Sequence, residues 1–255
     1  MEPWLLPGER VEDLQRGGLQ ILQKEKGFHY GMDAVLLADF TRAGSRDRVL
    51  DLGTGTGILP LLLWGRGKGK TFDAIEIQPD MADMARRSIQ MNHLQDRMTV
   101  HTGDVRDIRS IVPVGSRDVV VCNPPYGRQG CAIPNPDQDR KLARHQSADG
   151  LTPFLTAARW ALRVGGKFSM IYPAQWMLEA MEEMRALSLT PKRFRLVYPF
   201  PDRAANLVLI EGIVDARPLL HTEPPLIIYA SEGRMTPEVA QMYSFHPQAE
   251  ASCGI

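Results

Sequence analysis

Short apolar segments alternate with helix-like segments through the middle of the chain, and this alternation constrains the fold most. Such a pattern is typical of an α/β domain with a mainly parallel sheet, because each helix carries the chain back to start the next strand in the same direction. Strands are predicted at residues 48–53, 72–77, 98–103, 118–122 and 167–172, and helices at 58–64, 79–92, 152–162 and 174–186. We therefore predict an α/β fold with helices on both faces of the sheet.

Two more strands are predicted further along the chain, at residues 193–198 and 207–214. The link between them is short and rich in proline, so it allows a hairpin but no crossover. The expected sheet therefore has seven strands, with the last strand antiparallel. Upstream, the stretches 11–14 and 19–22 flank Arg16-Gly17-Gly18, which predicts an N-terminal β-hairpin.

The predicted strand at 118–122 ends at Asn123-Pro124-Pro125-Tyr126. Prolines have no N–H to donate and hold the backbone extended, so the carboxamide and the stiff carbonyls form an acceptor site for a planar NH2 group. Such an amine is a poor nucleophile because its lone pair is delocalised. Two acceptors on its hydrogens, with Tyr126 stacked on the attached π system, would help to localise that lone pair. A proline turn that only ends the strand is the alternative.

A glycine-rich turn, Asp51-Leu52-Gly53-Thr54-Gly55-Thr56-Gly57, lies where the first of these strands ends and a helix begins. Glycines at such a point let the backbone approach a ligand, and the helix N-terminus offers N–H groups. The spacing differs from the dinucleotide fingerprint, whose third glycine comes one position later. Glu76 ends the next strand, where an acidic residue can accept hydrogen bonds from the ribose hydroxyls of an adenosine ligand. A purely structural turn is the alternative.

Two aspartates have open roles. Asp104 follows the third strand, where it could bond the exocyclic amine of a bound adenine or cap a helix. Asp33 lies in the segment 27–34 before an apolar helix. This segment could close over the amino-acid end of an adenosine-type cofactor, with Tyr30, Gly31 and Asp33 in contact, or Asp33 could simply cap the helix.

The charge balance and the cysteines limit the ligands and the cellular compartment to be expected. Lys plus Arg and Asp plus Glu are balanced at 30 each, so nucleic acid would have to bind a local patch rather than respond to a global field. The three cysteines have no metal-binding spacing and fit a reduced, cytoplasmic protein. We expect no metal, no membrane-spanning segment and no secretion signal.

These residues together resemble class I S-adenosylmethionine-dependent methyltransferases, specifically the amino-methylating branch that carries Asn-Pro-Pro-Tyr. The resemblance implies a Rossmann-like seven-stranded sheet and S-adenosylmethionine as cofactor. It implies that the target amine is held by Asn123, Pro124, Pro125 and Tyr126. The implied cofactor contacts are Tyr30, Gly31, Asp33, Asp51, Gly53, Thr54, Gly55, Gly57, Glu76, Ile77, Asp104, Val105 and Asn123.

Segments along nearly the whole chain look like the bacterial tRNA(Val) adenine-N6 methyltransferases, which modify an adenine beside the anticodon. These segments include 27–40, Ala143-Arg144-His145, 193–198, 204–212 and 224–229. Members of that family usually carry Glu after Ala-Arg-His, where this chain has Gln146. The resemblance implies an enzyme that methylates the N6 amine of an adenine in tRNA.

Methyl transfer from a sulfonium needs little acid–base help because the leaving group departs neutral, so we expect catalysis to rest on positioning. The target adenine has to be splayed out or lie in a loop. The candidate RNA contacts are Arg128, Arg144, His145, Arg193 and Arg203. Arg203 is favoured because it follows the aromatic and proline run 198–201, and a plain solvated surface charge is the alternative for each.

The acceptor motif does not distinguish an adenine from a glutamine amide. The main alternative is therefore a protein-glutamine N5 methyltransferase acting on a release factor or ribosomal protein. That family usually has a sizeable helical module before the cofactor domain, and here the lead-in to Asp51 is short. A non-catalytic adenosine-ligand or RNA-binding module is the alternative of another class. We expect a hairpin and cofactor-covering segment at 1–40 and a methyltransferase domain at 41–255, with the oligomeric state open.

Overall fold

The computed structural model of the protein describes residues 4–25, 31–125 and 150–243. Its strands are β1 (Glu9–Asp13), β2 (Gln20–Lys24), β3 (Arg48–Leu52), β4 (Thr71–Glu76), β5 (Met98–Thr102), β6 (Arg117–Cys122), β7 (Leu162–Pro173), β8 (Leu189–Tyr198), β9 (Leu207–Val214), β10 (His221–Thr222), β11 (Leu226–Ile227), β12 (Tyr229–Ser231) and β13 (Arg234–Met235). Its α-helices are α1 (Met32–Phe40), α2 (Ile58–Gly65), α3 (Pro79–Met91), α4 (Ile108–Ile111), α5 (Thr152–Ala161), α6 (Met177–Ala186) and α7 (Pro237–Tyr243). Short 3₁₀ helices lie at Val105–Asp107 and Ala174–Trp176.

The central sheet has nine strands in the order β10-β8-β9-β7-β6-β3-β4-β5, with β11 also paired to β8. The five strands from β3 to β7 pair in parallel, and β9 runs antiparallel to both β7 and β8. The predicted mainly parallel sheet with an antiparallel last strand is confirmed. The two strands beyond the predicted seven are the two-residue β10 and β11, which extend the sheet along β8.

Each face of the sheet carries its own hydrophobic core. Val49 of β3 packs in the core formed with α1, α2 and α3, whereas its neighbour Leu50 packs in the core formed with α5 and α6. Adjacent side chains of a strand point to opposite faces, so a strand covered on both sides has to be apolar throughout. The run Val119–Val120–Val121 of β6 follows this rule, and all three side chains are buried.

The predicted N-terminal hairpin is present as the antiparallel pair β1–β2. It is fixed to helix α3 by polar contacts. The backbone N–H of Leu22 donates to Ser88 Oγ at 3.0 Å, and the Arg87 guanidinium donates to both carboxylate oxygens of Glu9 at 2.6 and 2.7 Å. The hairpin therefore covers α3, which follows the strand that ends in Glu76.

The parallel strands place their carboxyl ends at one edge of the sheet. Across that edge the order of strands is β6, β3, β4, β5. Residues that follow these four strands therefore become neighbours although they are far apart in sequence. Among the helices the structure describes, none is long and apolar enough to cross a membrane.

Candidate active site

Four of the predicted site segments meet at the carboxyl edge. In spatial order they are Asn123 after β6, the glycine-rich turn after β3, Glu76 at the end of β4 and Asp104 after β5. This is the crevice where open parallel sheets bind ligands. The structure thus brings together residues that span more than seventy positions of the sequence.

The glycine-rich turn needs its glycines for two different reasons. Gly53, Gly55 and Gly57 all have positive φ, at 76°, 58° and 87°, a conformation that strains other residues. A Cβ on Gly55 would meet no atom within 4 Å, so the backbone there borders open space. A Cβ on Gly57 would lie 3.3 Å from the Cβ of Ala85 in α3. Gly57 therefore has a packing role, whereas Gly55 borders space that a ligand could occupy.

Glu76 ties the glycine-rich turn to the end of β4. Its Oε2 accepts a hydrogen bond from the Gly55 N–H at 2.8 Å, and its Oε1 accepts one from the Gln78 N–H at 2.9 Å. Burial raises the pKa of this carboxyl group. Ile77, the next residue, is 42% exposed at the same edge, which leaves an apolar surface beside a carboxylate.

Asp51 is buried at the end of β3, and no described residue forms an ion pair with it. Among the described residues neither of its carboxylate oxygens has a hydrogen-bond partner, and the Thr54 hydroxyl is also unpartnered. Burial raises the pKa of Asp51 to about 7. Buried polar atoms are nearly always satisfied in proteins, so this pair marks a place where a polar ligand would complete the structure.

Gln23 was missed by the sequence analysis. It lies in β2 with no exposed surface, and its Nε2 donates to the Thr56 hydroxyl of the glycine-rich turn at 2.8 Å. Its Oε1 has no partner in the described part of the chain. A glutamine in a hairpin strand carries no local signal for such a role, because the contact is created by the docking of the hairpin.

Asn123 is held by a residue from helix α1. Its Nδ2 donates to Asp33 Oδ2 at 2.9 Å, and Asp33 Oδ1 accepts the Ala34 N–H at 3.1 Å. A Cβ on Gly31 would overlap Asp33 Oδ1, so a larger residue there would displace the Asp33 carboxylate. The helix N-cap is Gly31, and the side chain of Asp33 links the first turn of α1 to the acceptor motif.

Asp104 takes the capping role that the sequence left open. Its Oδ1 accepts the Arg106 N–H at 2.9 Å and its Oδ2 lies 3.0 Å from the Arg106 guanidinium. Val105 packs partly buried against the core on the α5 side. The adenine contacts predicted for Asp104 and Val105 stay predictions.

Of the candidate RNA contacts, Arg193 and Arg203 lie among the residues that the structure describes. Arg203 is exposed in the turn between β8 and β9, and because β8 is parallel to β7 this turn lies at the same edge as Asn123. Tyr30 and Tyr126, with Arg128, Arg144 and His145, lie outside the described residues, so their roles stay predictions.

Arg193 is not where the sequence analysis expected it. It is 5% exposed, bonds Glu211 at 2.9 Å and Glu223 at 2.7 Å, and stacks over the ring of Phe40 at 3.7 Å. An arginine in β8 looks like surface charge in the sequence. The tertiary structure instead supplies two carboxylates and a ring, so the guanidinium is engaged within the chain, and the RNA contact predicted for Arg193 stays a prediction.

A cavity of about 480 Å³ lies at the opposite edge of the sheet, where α1 ends, and it is lined in part by Phe40, Lys68, Lys167 and Arg193. Its cations are engaged within the chain, since Lys68 donates to the carbonyls of residues 38 and 39 at 2.8 and 2.7 Å. Burial lowers the pKa of Lys68 to about 8. The chemistry-bearing residues lie at the other edge. Within the described ranges, no three His, Cys, Asp or Glu side chains come together as a metal ion would require.

Comparisons with known proteins show which family the chain resembles. The model of the methyltransferase small domain family matches residues 29–188. A tRNA1(Val) (adenine(37)-N6)-methyltransferase from Tolumonas auensis is 30% identical over 214 residues, which cover 82% of this chain and 85% of that relative. The resemblance drawn from the sequence motifs is confirmed.

Two solved structures share the fold. A predicted O-methyltransferase from Agrobacterium tumefaciens superposes with a TM-score of 0.65 at 22% identity, covering 85% of this chain and 100% of that one. TYW2 from P. horikoshii, in complex with MeSAdo, superposes with a TM-score of 0.57 at 16% identity, covering 83% and 73%. The family model spans more than half of the chain, so the chain belongs to the methyltransferase small domain family and is a methyltransferase.

Proposed function

We propose that this enzyme transfers the methyl group of S-adenosylmethionine to the exocyclic N6 amine of an adenine in tRNA, at position 37 beside the anticodon. Support comes from the Tolumonas relative, whose name states this activity and which this chain covers over 85% of its length. The structural observation that carries the proposal is the Asn123 carboxamide, held by Asp33 at the edge where the glycine-rich turn lies. A carboxamide oxygen there is the acceptor that an adenine amine needs.

The residues of the glycine-rich turn fit the amino-acid end of S-adenosylmethionine. The unpartnered oxygens of Asp51 and Thr54 would be satisfied by the N–H groups of its ammonium, and the open backbone at Gly55 admits its chain. When bound, S-adenosylmethionine supplies an electrophilic methyl group on a positively charged sulfur. A negatively charged Asp51 near this ligand would also offset part of the positive charge that S-adenosylmethionine brings into the site.

The residues at the ends of β4 and β5 fit the adenosine part of S-adenosylmethionine. Glu76 uses one lone pair of each carboxylate oxygen for the backbone, and each oxygen keeps a second lone pair for a ribose hydroxyl. Ile77 presents an exposed apolar side chain beside it for the flat face of a purine. Asp104 and Val105 complete the proposed pocket from the end of β5.

The target amine would be held between Asn123 and Pro124. The side-chain oxygen of Asn123 and the main-chain carbonyl of Pro124 accept its two hydrogens, and we assign Tyr126 to stacking on the purine. These interactions strengthen as the nitrogen lone pair turns towards the methyl group, so they favour the transition state over the bound substrate. Positioning of the amine in line with the methyl–sulfur bond supplies the rest.

An adenine inside a duplex cannot reach a pocket of this kind, whereas a base in an anticodon loop is already accessible. With balanced total charge, we assign RNA contact to local groups at the same edge. Arg203 is the candidate among the described residues; the sequence also offers Arg128, Arg144 and His145, which lie outside them.

The proposal is tested by incubating the protein with labelled S-adenosylmethionine and, separately, tRNA, rRNA and ribosomal or release-factor protein. We expect label only in tRNA, recovered as N6-methyladenosine after digestion to nucleosides. A tRNA transcript with guanine in place of adenine 37 serves as the matched control and should take up no label. Label recovered as methylglutamine would contradict the proposal and favour the protein-methylating alternative.

A further inference from the structure

We propose that Asp33 is a positioning residue that fixes the carboxamide of Asn123 with its oxygen towards the reacting amine. This inference rests on the proposed function, in which Asn123 is the acceptor. It differs from the contact with the cofactor that the sequence suggested for Asp33. Asp33 acts through another side chain and need not touch either substrate.

The hydrogen bond between the two residues decides the orientation of the amide. A carboxamide has an acceptor oxygen and a donor NH2 group of nearly the same shape, and the two are exchanged by a 180° turn of the group. A carboxylate only accepts, so the half of Asn123 that lies 2.9 Å from Asp33 Oδ2 has to be the NH2 group. The oxygen is therefore on the side away from Asp33. The reversed amide would present donors to an amine that itself donates.

Asp33 is itself held from several sides. It lies in the first turn of α1, where the helix dipole favours a negative group, and its Oδ1 accepts the Ala34 N–H. The next residues of the helix, Val35, Leu36 and Leu37, are buried in the core. Because Gly31 has no side chain, the space beside it is free for Asp33 Oδ1. The position of the carboxylate is thus set by the packing of α1 on the sheet.

The first test is a double-mutant cycle on the full-length protein, read as the single-turnover rate of methylation of a tRNA transcript with adenine at position 37. We expect Asp33→Ala to lower this rate about 10- to 100-fold, because the amide loses its preferred orientation. In the Asn123→Ala background the same substitution should change the residual rate less than about twofold, since the group that Asp33 positions is absent. Affinity for S-adenosylmethionine, measured by calorimetry, separates this role from the direct cofactor contact implied for Asp33 and Asn123. It should stay within about twofold in all four proteins if the two residues act on the amine, whereas a larger loss in Asp33→Ala would favour a direct cofactor contact and contradict the positioning role.

The second test needs no methyl transfer. In ¹⁵N-labelled protein the side-chain NH2 signals of Asn123 are identified as the pair missing from Asn123→Ala. We expect slow hydrogen exchange of these protons in the wild type and fast exchange in Asp33→Ala. The near-isosteric Asp33→Asn keeps one acceptor, so it should fold normally and give an intermediate rate of methylation.

The control is Asp39→Asn, at the other end of the same helix, where the side chain is 44% exposed and 3.9 Å from Arg66. It should leave both measurements unchanged. Equal rate losses for Asp33→Ala in the two backgrounds, or fast exchange already in the wild type, would overturn the positioning role. Full activity of Asn123→Ala would instead contradict the role of Asn123 as acceptor, and this result would count against the proposed function rather than against Asp33 alone.

Discussion

At the scale of single residues, the candidate site is marked by polar groups that are buried and have no partner among the described residues. Asp51 is the strongest case, because both of its oxygens lack a partner among the described residues and its pKa is raised to about 7 by burial. Such an arrangement costs stability and persists where a ligand needs it. Removal of the Asp51 carboxylate should therefore raise the stability of the ligand-free protein and lower its affinity for the cofactor.

We predict that Asp51→Asn stabilises the ligand-free protein and weakens cofactor binding. The folded pKa is raised above the ordinary value of 3.8, so the unfolded chain loses this proton first. The free energy of unfolding of the wild type therefore falls progressively as the pH rises from about 4 to about 7, by roughly 2–4 kcal/mol in total. The variant should melt several degrees higher at pH 8, and the gain should shrink towards pH 5. Calorimetry should show weaker S-adenosylmethionine binding; a variant less stable at pH 8 would contradict the argument.

Arg193 is a second residue-scale prediction. Its removal leaves Glu211, which is 2% exposed, without its counter-charge, and broken buried pairs cost roughly 3–5 kcal/mol. Arg193→Ala should lower the denaturation midpoint strongly while the KM for tRNA of the remaining folded enzyme stays unchanged. Arg195→Ala on the same strand is the control, because its partner Glu238 is 52% exposed and the pair should contribute about 1 kcal/mol or less. A raised KM with normal stability for Arg193→Ala would restore the role in RNA binding.

At the scale of elements, the N-terminal hairpin is part of the site rather than an appendage. Strand β2 is fixed to α3 through Leu22 and Ser88, and it reaches the glycine-rich turn through Gln23 and Thr56. Glu76 holds the same turn from β4. The turn is thus supported on two sides by elements that come from different parts of the chain.

We predict that Gln23→Ala loosens the turn and lowers S-adenosylmethionine affinity about 3- to 10-fold, because the Thr56 hydroxyl loses its buried donor. Isothermal calorimetry measures this loss, and faster amide exchange at residues 53–57 would show its cause. Gln20→Ala in the same strand is the control, since the Gln20 side chain is exposed. Equal affinities for the two variants would show that the hairpin does not support the turn.

At the scale of the whole molecule, the parallel sheet collects the active groups at one edge and separates them from the cavity at the other. The β8–β9 turn that carries Arg203 lies between two and three strands away from β6, roughly 10–14 Å at the usual strand spacing. An anticodon loop spans that distance. RNA bound at the active edge would therefore meet Arg203 while its adenine reaches Asn123.

We predict that Arg203→Glu raises the KM for tRNA about 3- to 10-fold and weakens its salt dependence, because one phosphate contact is lost. The rate at saturating tRNA and the cofactor affinity should not change. Arg97→Glu, an exposed arginine just before β5 at the opposite edge, is the control for charge reversal. The same increase in KM for both variants would point to a diffuse electrostatic effect instead of a contact.

The order and type of the main elements, the glycine-rich turn and the acceptor motif were all predicted from the amino-acid residues alone. These features are local, since strand alternation, glycine at positive φ and proline stiffness are properties of neighbouring residues. The parallel arrangement follows from them, and with it the meeting of Asn123, Gly55 and Glu76 at one edge.

Only the tertiary structure decided the partners of the polar side chains. The bond from Asp33 to Asn123, the bond from Gln23 to Thr56 and the burial of Arg193 between two carboxylates all join distant parts of the chain. No periodicity or spacing encodes such pairs, because each depends on how packed elements face one another. Residues of the same types elsewhere in the chain, such as Asp202 and Arg203, are exposed, and the difference is made by burial.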